Sequence, residues 1–141
     1  MNFAPVRIHL AAVVVASLTH ATCANTPTNP SPIALGTWGG DHVSMKVESA
    51  AAHFEFDCAS GEVATALMTN TRGDFSATGL FIREHGGPVR EGEAPDSHPA
   101  SYVGTVMASR MLLTVRLMDL GDIAGPFTLD YGSAGRVVKC L

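Results

Sequence analysis

A chain of 141 residues, 46% of them hydrophobic, has room for one domain built on one modest core. Its formal charge of -4 becomes -5 without the first segment and its Arg7, leaving eight basic against thirteen acidic residues. That balance gives no generic pull toward nucleic acid or anionic lipid, so neither is expected as a partner.

Residues 1–24 read as a signal peptide. Arg7 supplies the positive start, Ile8 to Leu18 the apolar stretch, and Thr22-Cys23-Ala24 a small-residue exit with cleavage before Asn25. About eleven apolar residues are too few to cross a bilayer, which needs roughly twenty, so no membrane span is expected. Cys23 raises lipoprotein anchoring, but His20 stands where a branched aliphatic residue belongs. Export to the periplasm or the medium is therefore the expectation. Cys23 then leaves with the leader, and Cys58 and Cys140 are expected to pair in an oxidising compartment. Closing a loop of roughly 80 residues is worth about 4–5 kcal/mol in the chain-entropy model.

Residues 25–35, with three prolines among small polar residues, are expected to form a disordered tether, leaving 36–141 as a single β domain. From Gly36 onward the apolar residues alternate. Val43, Met45 and Val47 share one side of a strand, and Phe54, Phe56 and Cys58 share one side of the next. A turn at Ser60-Gly61 precedes a strand over 62–69, and Thr71 to Asp74 a turn before a strand over 75–84. Further strands are expected over 101–107, 111–119, 127–131 and 137–140. About eight short strands with one apolar face pair antiparallel with their neighbours. The expected fold is all-β, a small up-and-down antiparallel barrel of calycin-like type, with a two-sheet sandwich as the alternative.

Gly36-Thr37-Trp38 resembles the G-x-W signature that opens the first strand of lipocalin-like and avidin-like barrels, where the Trp plugs one end. The chain lacks room for a full lipocalin, so this likeness implies a barrel and not a ligand. Four blocks, G-T-W-G-G-D-H (36–42), F-D-C-A (56–59), E-H-G-G-P (84–88) and K-C-L (139–141), resemble those of small exported bacterial proteins of unassigned function. That resemblance implies a bacterial, extracytoplasmic origin and carries over no catalytic or binding residue.

The long stretch 83–100 is the most informative loop, because connections of this length are usually functional or disordered. Gly86-Gly87-Pro88 could hold Glu84 and His85 in a defined pose. Its His85, Glu91, Glu93, Asp96 and His98, with Asp41 and His42, are conceivable metal ligands, yet no close histidine spacing supports such a site. No serine context marks a hydrolase nucleophile, so no catalytic residue, metal ligand or cofactor is assigned. Asp41-His42 is expected to follow a Gly39-Gly40 turn, the histidine paired with its neighbour or clustered with Glu84 and His85. Arg72-Gly73-Asp74 is read as a hairpin turn. Met45, Met68, Met107, Met111 and Met118 are read as core fillers. The leading reading is a non-catalytic extracytoplasmic binding module. It would hold a small ligand at the barrel mouth, or a protein partner through the 83–100 loop as a secreted inhibitor does. Trp38, Asp41, His42, Glu84, His85 and Arg90 are the candidate contacts. The alternative is a secreted hydrolase or metal-binding protein using the acidic and histidine residues of that loop.

Overall fold

Side chains on a strand point alternately to its two faces, so a sheet apolar on one face must close over it. The computed structural model, which describes residues 30–88 and 90–140, has this closure; the leader, Cys23 and the first tether residues lie outside the described range. The strands are β1 (Ser31–Pro32), β2 (Gly36–Gly40), β3 (Val43–Val47), β4 (Ala52–Phe56) and β5 (Ala59–Val63). They continue as β6 (Met68–Thr69), β7 (Asp74–Arg83), β8 (Asp96–Met107), β9 (Arg110–Leu117) and β10 (Ile123–Tyr131). Eight form a closed barrel in the order β10-β2-β3-β4-β5-β7-β8-β9, and β1 and β6 make a separate two-stranded sheet. Every barrel neighbour is antiparallel, so the topology is up-and-down and the sandwich alternative falls. Among the described residues there is no helix, hence none long and apolar enough to cross a membrane.

The interior is filled by side chains. Met45 faces Phe54 across β3 and β4, and both are buried. The Phe54 ring stacks on Tyr102 with centroids 4.4 Å apart, and Phe56 packs on Phe81 and on Phe127 at 5.3 Å each. Met111, Leu113, Val115 and Leu117 bring the inward face of β9 against this column. The Tyr102 hydroxyl donates to the Leu80 carbonyl at 2.6 Å, and burial pushes its pKa up, keeping the phenol neutral.

Several sequence expectations need correction. Residues 31–35 are not a disordered tether: Ser31–Pro32 pairs with Met68–Thr69, and buried Ile33 donates its amide to the Leu67 carbonyl at 3.0 Å. The reason lies in β5 and β7, which pair over only Ala59–Glu62 and Leu80–Arg83. Buried Leu67, on the connection between them, and Ile33 add apolar cover to the core there. The segment 137–140 is no strand; the eighth barrel strand is Gly36–Gly40. Ser60-Gly61 lies inside β5, and the turn falls at Asp57-Cys58, where Cys58 takes a φ of 53°. The strand expected over 62–69 stops at Val63 and resumes only as β6. Met45 and Met111 fill the core, whereas Met68, Met107 and Met118 are exposed.

Candidate functional site

In a meander, successive connections fall at alternate ends of the barrel. One rim therefore carries the Asp41-His42 turn, the Asp57-Cys58 turn, the connection 84–95 and the turn 118–122. This brings Asp41, His42, Glu84, His85 and Arg90 to one end. Trp38 is not with them. It lies in the core at 1% exposure, donating Nε1–H to the Ala34 carbonyl at 3.0 Å with its ring edge-on to Tyr131. A residue so enclosed is part of the scaffold and not a surface contact.

Asp41, His42 and Glu84 are occupied by the chain's own tail. After β10 the backbone turns back, runs beside β2 and reaches the rim. The Arg136 amide donates to the Gly40 carbonyl at 2.8 Å and the His42 amide to the Arg136 carbonyl at 2.7 Å, a one-residue parallel bridge. The Arg136 guanidinium holds Asp41 Oδ1 at 2.6 Å. His42 Nδ1 pairs with Asp57 Oδ2 at 2.5 Å, while Asp57 Oδ1 accepts the Val138 amide at 2.7 Å. The Val138 amide first, then His42, holds the Asp57 carboxyl below its usual range. Lys139 Nζ reaches Glu55 at 2.5 Å and Glu84 at 3.1 Å, and Cys140 is bonded to Cys58 with Cα atoms 4.9 Å apart. The bridge is as expected from the cysteine count. The partner of His42 is not, since it is Asp57 and neither Asp41 nor Glu84.

Gly39 and Gly40 are not a turn but the end of β2, pressed from both sides. A Cβ on Gly39 would lie 2.2 Å from the Gly135 amide nitrogen of this returning segment, the strap 132–140. On Gly40 it would lie 1.9 Å from the Thr128 carbonyl oxygen of β10. The four sequence blocks quoted above thus meet in one place. Asp41 and His42, Asp57 and Cys58, Glu84, and Lys139 and Cys140 form the seat of this strap.

His85 and Arg90 belong to a separate feature. Because β8 begins at Asp96, the loop is shorter than expected and runs over 84–95. His85 Nε2 donates to Glu93 Oε1 at 2.7 Å and Nδ1 to the Gly86 carbonyl at 3.0 Å. Both ring nitrogens are donors, which favours the imidazolium; the Gly86 carbonyl and then Glu93 raise the His85 pKa. The Arg90 amide donates to Glu93 Oε2 at 3.0 Å and the Glu93 amide to the Arg90 carbonyl at 3.0 Å. Glu93 therefore braces both arms of the loop around an open recess of about 790 Å³ lined by His85, Pro88, Arg90 and Glu91. Among the described residues six of the Lys and Arg side chains sit in ion pairs, and Arg90 and Arg116 do not.

His98, grouped with the loop by sequence, faces inward on β8 opposite Phe81. Its Nδ1 lies 2.8 Å from Asp119 Oδ2, and its buried Nε2 lies 3.0 Å from Asp96 Oδ1, too far off line for a hydrogen bond. A carboxylate beside each nitrogen favours the imidazolium. The Asp119 hydrogen bond raises the His98 pKa above 6.5 against the opposing effect of burial. A group raised on folding stabilises fully below its unfolded value and loses that effect as pH rises through its folded value. The stability gap between the native protein and His98→Gln is therefore expected to be widest below about pH 6.5 and to narrow as pH rises above it. Melting temperatures across that range check this, and a gap independent of pH would contradict it.

Among the described residues no group of three or more His, Cys, Asp or Glu side chains gathers to hold a metal ion. The residues weighed for that role are divided among the strap, the Glu93 brace and the His98 cluster. Asp57, Arg136 and Lys139 were missed as rim residues, because their partners lie 15 to 95 positions away and no local pattern marks them. Compared with known protein families, curated proteins and solved structures, the chain has no match.

Proposed function

We propose that this chain is an extracytoplasmic, non-catalytic binding module that holds a protein partner through the loop 84–95. The leader reading, the likeness to exported bacterial proteins and the Cys58–Cys140 bridge support the compartment. The aromatic column of Phe54, Phe56, Tyr102 and Phe127 carries the choice of partner. A small ligand entering the lumen would have to displace these rings, whereas the braced loop offers an outward recess with the unpaired Arg90 and Glu91 on its wall. Charged residues at such a rim steer and align a partner, and the stiff brace limits the ordering cost of association.

A photo-crosslinking residue at Glu91 tests this in the protein's own exported fraction. One discrete adduct is expected, lost when Arg90→Ala and His85→Ala are added, with none from Ser76 on the outer face of β7. A small molecule retained by the barrel in native mass spectrometry, without any loop-dependent adduct, would overturn the reading.

A further inference from the structure

The strap 132–140 puts no side chain in the core, and of its two valines Val137 is only half-buried. Val138 is 69% exposed, and the Arg136–Asp41 pair is exposed on both sides. Exposed ion pairs contribute little. Beside a few rim hydrogen bonds from Arg136, Val138 and Lys139, the Cys58–Cys140 bond is the covalent tie keeping the strap on the rim. Cys140 is exposed, whereas Cys58 is half-buried in its turn. Meanwhile the seam under the strap is thin: β10 and β2 share only two registered pairs, Asp130 with Gly39 and Tyr131 with Trp38. Beyond them the edge of β2 is completed by Arg136 of the strap.

We propose that Cys140 is a thiol-exchange site and that the strap is a latch which a small thiol opens. A thiolate attacks Cys140 Sγ along the S–S bond, forming a mixed disulfide there. The Cys58 sulfur leaves with the bonding electron pair and takes a proton from water. The reverse attack by the Cys58 thiolate on the mixed disulfide expels the small thiol and recloses the latch. While it is open, the His42 and Arg136 amides lose their partners, Asp41 and Glu84 lose Arg136 and Lys139, and Asp57 loses the Val138 amide but keeps His42. A recess of about 490 Å³ beside them, between His42 and Gly125–Thr128, then stands next to an uncovered strand edge. This inference does not depend on the role of the loop 84–95.

The oxidised protein treated with glutathione, followed by peptide mapping and amide hydrogen exchange, tests the latch. One glutathione is expected on Cys140. Exchange should become roughly tenfold or more faster in 40–42 and 132–140, while β9 keeps its protection. Glutathione on Cys58 or no adduct would overturn the proposal, as would continued protection of the strap. Loss of β9 protection together with the strap would make the bond a staple of the whole fold and overturn the latch too. Cys140→Ser supplies the second arm: it should fold with the strap already open and without added thiol. A failure to fold counts against the latch.

Discussion

Phe54→Ala is expected to lower the free energy of unfolding by about 3–5 kcal/mol, the range for removing a fully buried phenylalanine. Phe54 is 1% exposed, stacked on Tyr102 at 4.4 Å and in parallel contact with Phe56 at 6.1 Å. Neighbours on a closed barrel cannot slide inward to refill the space, because each is fixed by two hydrogen-bonded strands. The lost transfer energy is therefore joined by the cost of the cavity. Leu112→Ala is the control. Leu112 is 47% exposed on the outer face of the same barrel, and its truncation is expected to cost within about 0.5 kcal/mol. Urea melts of the two variants check the contrast. A Phe54→Ala loss under about 1 kcal/mol would mean a lumen already loosely filled, and would reopen the case for a ligand inside it.

The fold was legible because period-two alternation is a local signal. Val43, Met45 and Val47, or Met111, Leu113, Val115 and Leu117, declare their inward face without knowledge of any partner strand. Glycine and proline were less reliable punctuation. Gly39-Gly40 and Ser60-Gly61 look like turns, yet both pairs sit within strands, where a side chain on Gly39 or Gly40 would strike a neighbouring backbone. The true turns at Asp41-His42 and Asp57-Cys58 place His42 and Cys58 at positive φ, which no glycine announces. The candidate site was half legible. Asp41, His42 and Glu84 do lie on one rim with His85 and Arg90, but the His42 ring is taken by Asp57, and Asp41 and Glu84 by a tail some 55 to 95 residues further on. A segment with no alternation and no length for a strand carries no sign in its own residues of where it will dock. The cysteine pair alone hinted at it.

Gly40→Ala is expected to cost about 3 kcal/mol, at the upper end of what overpacking exacts. Its Cβ would lie 1.9 Å from the Thr128 carbonyl oxygen and 3.0 Å from the Thr128 carbonyl carbon. These are backbone atoms, so no rotamer change relieves the overlap, and either β2 or β10 must move. They meet at the thinnest seam of the barrel, with two registered pairs where β7 and β8 share ten. A shift there also carries away the Gly40 carbonyl that accepts from Arg136, so the strap should loosen with the seam. Gly39→Ala separates the two effects. Its Cβ strikes the Gly135 nitrogen, which lies on the strap and not on a barrel strand. Faster exchange at the His42 amide is expected in both variants, but a marked drop in melting temperature only for Gly40→Ala. Equal melting temperatures for the two would show that the strap and the barrel seam open as one unit, against the independence that the geometry implies.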